Sequence, residues 1–319
     1  MIPQDSFLWD SGINESIREV AEPTVPLFEV LTHLGDGAFL LVLGVLIYWF
    51  GVRSSRRERA FVIAVGTAAL ALSAGIKGIV QLPRPDLAFS VAGYPGYSFP
   101  SAHAVGSAAF YGALAVTMTR GRPIWRYCLA VVLVAVISLS RVLMGLHYVG
   151  DVLVGAFLGF ALVRIGVWFR REDRLDPGPM FVLATFTAGS AALLGSRVFV
   201  SLTIGASLGG ALGWYYVRGR PTTSSGAAVL VLGTGAIAGI GVIRFLSAQF
   251  GVTALVRANS PVFFLIESAG YTILTAFVLI VPWLAIRIET HPTVRYLQAA
   301  LPFRGTVIEP NSGDSPDEK

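Results

Sequence analysis

Charge is scarce in this sequence. Lys, Arg, Asp and Glu make up 13% of its 319 residues, against about 25% in an average soluble protein. A large soluble α/β enzyme would break its apolar runs with charged surface, so the deficit argues for a bilayer as solvent. Cysteine is nearly missing too. Cys128 is the single one and lies inside an apolar run, which excludes an intramolecular disulfide and argues against a thiolate metal cluster. No carboxylate pair suits a hard cation. Basic residues are not interleaved with aromatics, so the net charge of +5 does not describe a nucleic-acid surface. A basic leader is absent as well. Residues 1–35 are mixed and acidic, with Pro3, Pro23 and Pro26, and the first strong apolar run begins near Ala38. That start does not read as a signal peptide; it reads as an irregular cap or a short amphipathic helix lying on a membrane.

What the chain does have is apolar length: 54% of its residues are hydrophobic. The apolar runs predict about nine spans, each able to cross about 30 Å of hydrocarbon. They lie near 37–52, 60–82, 101–119, 124–140, 147–169, 179–195, 198–217, 226–246 and 262–286, with only Gly195–Arg197 between the sixth and seventh. Arginine falls mostly in alternate loops: Arg53, Arg56, Arg57 and Arg59, then Arg120, Arg122 and Arg126, then Arg164, Arg170, Arg171 and Arg174, then Arg218 and Arg220, then Arg287, Arg295 and Arg304. By the positive-inside rule those loops are cytoplasmic, so the amino end lies outside and the carboxyl end inside. Small residues recur at helical spacing (Gly155 with Gly159, Gly205 with Gly209 and Gly213, Gly235 with Gly239), which suits close helix packing in a membrane. The last residues, 308–319, are polar and acidic and favour disorder.

Ionisable groups in membrane segments cost about 2.5–3.5 kcal/mol each on insertion scales, so a cluster of them needs a reason. Three stretches on the sparsely basic side form one. Lys77 lies in the last turns of the second span, and Pro83 and Pro85 stop that helix around Arg84. Next, Phe99-Pro100-Ser101-Ala102-His103 opens the third span. Pro suits a first helical position, and a helix N-terminus presents free N–H groups to an anion. Ser101 adds a hydroxyl and His103 a proton that titrates near neutrality. Finally, Ser140-Arg141 and His147 through Asp151 cross the turn between the fourth and fifth spans. On a helix His147 and Asp151 share a face, so the carboxylate can fix the imidazole tautomer. Singly, Lys77 reads as a snorkelling anchor, and each Ser/His or His/Asp pair as a helix cap. Together, three cations, two imidazoles, a carboxylate and a hydroxyl match what phosphoryl transfer needs: fixed donors around a spreading negative charge. The cations take the place of a metal, and no cofactor is expected.

These stretches, Lys-x6-Arg-Pro, Pro-Ser-Ala-His and Ser-Arg-x5-His-x3-Asp, resemble the signature of the type 2 phosphatidic acid phosphatase (PAP2) and vanadium haloperoxidase-like superfamily, lipid-phosphatase branch. Ala102 stands where that signature has Gly; it keeps the backbone N–H. The apolar runs make this an all-α polytopic transmembrane bundle, with a first segment at 1–36 outside or at the interface, a four-helix extension at 171–290 and a partly disordered cytoplasmic tail at 291–319; the resemblance covers 37–170 and not the extension, and implies that this stretch is the catalytic core. It implies that His147 is the nucleophile of a phosphohistidine intermediate, oriented by Asp151. His103 would protonate the leaving alkoxide and then activate water. Lys77, Arg84, Ser101, Arg141 and the Ala102 N–H would hold the phosphate. The substrate class implied is a lipid phosphate taken from the bilayer: a polyprenyl diphosphate, a phosphatidylglycerophosphate-like lipid or a phosphatidate. A sugar phosphate, as in glucose-6-phosphatase, transfer to another lipid or glycan, and a non-catalytic transporter or scaffold remain alternatives, and the oligomeric state is open. Elsewhere, Glu267 is expected to pair with Arg244 or Arg257 or to face headgroups, with selection of the substrate headgroup as the sharper alternative; His33 and Asp36 are expected to lie at the interface, and Arg164 to snorkel.

Overall fold

A computed structural model describes residues 7–51, 54–86, 96–170, 174–223, 225–235 and 261–300. Its regular elements are all helices. In chain order they are α1 (Ser11–Ala21), α2 (Val25–Leu31), α3 (Gly37–Phe50), α4 (Arg56–Val80), α5 (Ala102–Thr117), α6 (Pro123–Leu143), α7 (Val149–Trp168), α8 (Pro177–Leu193), α9 (Val200–Val217), α10 (Gly226–Gly235), α11 (Pro261–Leu284) and α12 (Pro292–Ala300). The apolar runs locate α3 to α9 and α11 to within a few residues, whereas α1, α2 and α12 lie outside them. The amino-terminal segment is more ordered than an irregular cap: Asp10 caps α1 by accepting from the Gly12 N–H at 2.8 Å.

Among the described residues, α4, α6, α7 and the stretch Val262–Arg287 are long and apolar enough to cross a membrane. A fifth span arises if Ser11–Gly35 and Gly37–Phe50, bent by 50°, act as one. With 16 and 17 residues, α5 and α8 fall below the roughly 20 that a perpendicular span needs, and the eighth expected span runs into 236–246, outside the described residues. The chain is a multi-pass membrane protein.

The helix α4 stands at the centre. It starts with a reciprocal cap, Glu58 N–H to Ser55 Oγ at 3.2 Å and Ser55 N–H to Glu58 Oε2 at 2.7 Å, which satisfies two otherwise orphaned donors. Ala60, Ala64, Ala68, Ala71 and Ala74 are buried along it, and such small side chains let α5 and α8 come close. The helix ends earlier than its prolines: Gln81 adopts a left-handed φ of 52° and donates its N–H to Lys77 O at 3.0 Å.

Two of the small-residue stripes lie against partner helices. A Cβ on Gly159 of α7 would come within 2.5 Å of the Val105 carbonyl on α5, and Gly209 of α9 packs on the Thr272 backbone of α11. Gly239 of the third stripe lies outside the described residues. Tyr48 and Trp49 on α3 donate to the Leu279 and Val278 carbonyls of α11 at 2.9 Å each, so their polar tips are satisfied. One core of buried apolar side chains runs from Phe61 and Val105 through Phe181 to Trp214 and Leu279, joining α4 to α11 without a break.

Candidate active site

The C-terminal ends of α4 and α6 and the N-terminal ends of α5 and α7 meet at one end of the bundle, and all three motif stretches gather there. The α5/α7 contact sets the spacing, and Ser101 N–H donates to the Asp151 carbonyl at 3.1 Å, tying the two helix starts together. Lys77, Arg84, Arg141 and His103 all lie within electrostatic reach of His147.

His147 is buried in the turn between α6 and α7, two residues ahead of the helix, and so does not share a helical face with Asp151 as the spacing suggested. Asp151 is the third residue of α7 and reaches back. Its Oδ2 lies 3.4 Å from His147 Nδ1 and accepts from the Tyr148 N–H at 3.0 Å. With Nδ1–H directed at a carboxylate, the lone pair belongs to Nε2, and Arg84 Nη1 sits 3.2 Å from that nitrogen. The same Arg84 nitrogen donates to the Leu146 carbonyl at 2.6 Å. Burial first, then Lys77, Arg84, Arg141 and His103, push the His147 imidazole well below its ordinary value, so the ring is neutral at pH 7.

Lys77 is buried rather than snorkelling. Its Nζ donates to the Tyr97 and Ser98 carbonyls at 2.7 and 2.9 Å, and it thereby braces the loop leading into α5. Arg141 is buried and donates to Thr32 Oγ1 at 3.1 Å. Helix α5 begins two residues later than Pro100 as its first helical residue implied: Ser101 is the residue before the first turn, yet its side chain does not cap it. The Ser101 hydroxyl is fully buried and has no partner among the described residues. A buried, uncommitted hydroxyl is costly unless something fills its bond, and here it stands beside the open first turn of α5, an anion-binding arrangement. Ala102 is exposed at the start of that turn.

Five contributors escaped the sequence reading. Ser98 is fully buried and donates to Asp151 Oδ2, with its Oγ 3.4 Å from His147 Nδ1. Trp9 donates its indole N–H to Asp151 Oδ1 at 3.0 Å. Asn14, buried on α1, donates to the His147 carbonyl at 2.8 Å, and Arg18 to the Leu143 carbonyl at 2.5 Å. The amino-terminal segment therefore lies across the turn carrying His147. Asp36 contacts His103, with Oδ1 2.8 Å from Nε2. Ser98 adjoined a motif, which was its one signal; the others lie far away in sequence. For Glu267, both expected partners, Arg244 and Arg257, lie outside the described residues.

Residues 58–174 match the family model described as the PAP2 superfamily. Phosphatidylglycerophosphatase B of Bacillus subtilis is 33% identical over 162 residues, covering 48% of this chain and 79% of that protein. The chain belongs to the PAP2 superfamily. A second relative is decaprenylphosphoryl-5-phosphoribose phosphatase of Mycobacterium tuberculosis, 36% identical over 132 residues, or 40% of this chain and 71% of that one. A crystal structure of a transmembrane PAP2-type phosphatidylglycerolphosphate phosphatase from Bacillus subtilis is 29% identical, covers 51% of this chain and 88% of its own, and superposes with a TM-score of 0.43. All three motif stretches fall inside the PAP2 match. Trp9, Asn14 and Asp36 lie ahead of it.

Proposed function

We propose that this PAP2 superfamily member is a membrane phosphatase that removes phosphate from a phosphorylated lipid through a phosphohistidine on His147. The observation that carries this reading is the two-sided environment of His147: a carboxylate on Nδ1 and a guanidinium at Nε2. Asp151 keeps the proton on Nδ1 and supports the charge that develops. Nε2 attacks phosphorus as the bond to the lipid oxygen breaks, and His103 gives that oxygen a proton. His103 then takes a proton from water, the water oxygen bonds to phosphorus, and the P–N bond breaks, freeing His147. Lys77, Arg84, Arg141, Ser101 Oγ and the Ala102 N–H hold the phosphoryl oxygens, supplying the fixed charge on which such transfer depends.

Two relatives named for lipid-linked phosphates support a lipid substrate, as does a site at the helix ends of a membrane bundle. Topology supports an extracytoplasmic site: Arg56, Arg57 and Arg59 begin α4, whereas Lys77 lies near its other end. We read the enzyme as metal-independent. Lys77, Arg84 and Arg141 are the positive charge that a metal would otherwise bring to the phosphoryl oxygens.

The test is phosphate release from a panel of lipid and sugar phosphates in detergent, with His147→Ala as the blank. Release from lipid phosphates, a loss of orders of magnitude in the variant, inhibition by vanadate and indifference to EDTA are expected. Release by His147→Ala at the wild-type rate overturns the reading, and preference for sugar phosphates overturns its substrate class.

A further inference from the structure

Three side chains form a line from solvent into the site. His33 Nδ1 lies 2.6 Å from Asp36 Oδ2, and Asp36 Oδ1 lies 2.8 Å from His103 Nε2. Side-chain exposure falls along that line, from 71% at His33 through 38% at Asp36 to 15% at His103. The turn carrying His33 and Asp36 is held to the bundle at several points. Tyr111 on α5 donates to the Leu34 carbonyl at 2.8 Å, and Arg141 on α6 holds Thr32. Gly35 allows the approach, since a Cβ there would come within 2.5 Å of Ile137 Cγ2 and 3.3 Å of His103 Cδ2.

We propose that Asp36 is a positioning residue for the acid–base step, holding His103 through Nε2 so that Nδ1 faces the leaving oxygen, and that His33 moderates it from the solvent side. This rests on the phosphatase reading above and adds to it a residue outside the family match. Partial burial works against the charge on Asp36, but hydrogen bonds from His33 and His103 outweigh it and keep the carboxyl below its ordinary value, so it is ionised at pH 7. Burial and then Arg141 work against a charge on His103 and lower its pKa; the Asp36 carboxylate on one ring nitrogen opposes them, favouring the imidazolium, the form that donates. The step balances within His103: the Nδ1 proton leaves with the alkoxide as the P–O bond breaks, and water returns one as the P–N bond breaks. Asp36 keeps the Nε2–H bond in both forms and gains no proton. Lys77 on α4, Arg141 on α6 and His147 also face His103 and are left unchanged by variants at 33 and 36.

The test compares Asp36→Asn with wild type in detergent on two substrates. An alkyl lipid phosphate has a poor leaving group that needs a general acid; p-nitrophenyl phosphate has a good one that does not. The expected result is a kcat loss of about tenfold or more on the alkyl substrate and less than threefold on the aryl one. The alkaline limb of the pH–kcat profile should also move down by about one pH unit, in line with loss of an opposite charge at this range. Asp36→Glu should restore part of the rate. His33→Ala should move the same limb upward, because Asp36 then spends its charge on His103 alone; this variant carries the test if Asp36→Asn does not fold. Equal losses on both substrates with an unmoved limb, or no limb movement in His33→Ala, overturn the proposal. Failure of the phosphatase reading itself is seen separately, as wild-type protein that releases no more phosphate than His147→Ala.

Discussion

Asp151→Asn changes one atom and puts two demands on the site that cannot both be met. Asp151 Oδ1 accepts the Trp9 indole N–H at 3.0 Å. Its Oδ2 accepts the Tyr148 N–H at 3.0 Å and the Ser98 hydroxyl, and faces His147 Nδ1 at 3.4 Å. Asparagine has one acceptor oxygen. Turned either way, its NH2 meets a donor, the indole of Trp9 or the amide of Tyr148. An unsatisfied buried donor costs about 1–3 kcal/mol, so thermal stability should fall. With the oxygen towards Trp9, the NH2 faces His147 Nδ1 and pushes the ring proton to Nε2, where no lone pair is left for phosphorus. Losing a tautomer-fixing carboxylate costs about 10⁴ in kcat in the comparable Ser-His-Asp arrangement. The contact here is long, so we expect about 10³, or roughly 4 kcal/mol of barrier. The assay is phosphate release alongside melting in detergent. Adding Trp9→Phe removes the indole donor and lets the amide oxygen turn to Tyr148, Ser98 and His147 Nδ1, so the double variant should recover stability and part of the rate. A folded Asp151→Asn enzyme within about tenfold of wild type would refute this reasoning.

Three further outcomes are expected. Ser98→Ala should lower kcat by about tenfold with little change in KM, because one charged hydrogen bond, worth about 1.5–3 kcal/mol, is lost from Asp151 while its other donors stay; steady-state kinetics check this. Asn14→Ala should cost about 1–2 kcal/mol and raise hydrogen exchange across the turn 142–148, where Asn14 donates to the Val142 and His147 carbonyls. Gly159→Leu should abolish the α5/α7 contact, since even a Cβ there runs into the Val105 carbonyl; loss of folded protein or of activity, read by size-exclusion and phosphate release, is the expected result.

Much of the site was legible because a membrane makes it so. Lys77, Arg84, Arg141, His103, His147 and Asp151 are expensive in apolar runs, so their presence marked them, and helix positions followed from the length of those runs. The end of α4 was read two residues late because Pro83 is a louder signal than Gln81, whose left-handed backbone no local rule favours. The division between α8 and α9 was visible as Gly195, which has a φ of +92° and needs the freedom of glycine there. Trp9, Asn14 and Asp36 were not legible. In an acidic segment beside a membrane such residues are ordinary, and their meaning comes only from where α1 and the 32–36 turn dock. Ser98 was hidden for a related reason: a serine in a loop costs nothing, and only its burial against Asp151 gives it a task.

The central claim is that phosphorus is transferred twice, first to His147 and then to water. Each in-line displacement inverts phosphorus, so the stereochemistry counts the steps without requiring the intermediate to accumulate. A lipid phosphorothioate made chiral with oxygen isotopes, hydrolysed by the purified enzyme in water of the third isotope, should yield chiral inorganic thiophosphate with overall retention of configuration. Inversion would mean that water attacks the substrate directly and that His147 never carries the phosphoryl group.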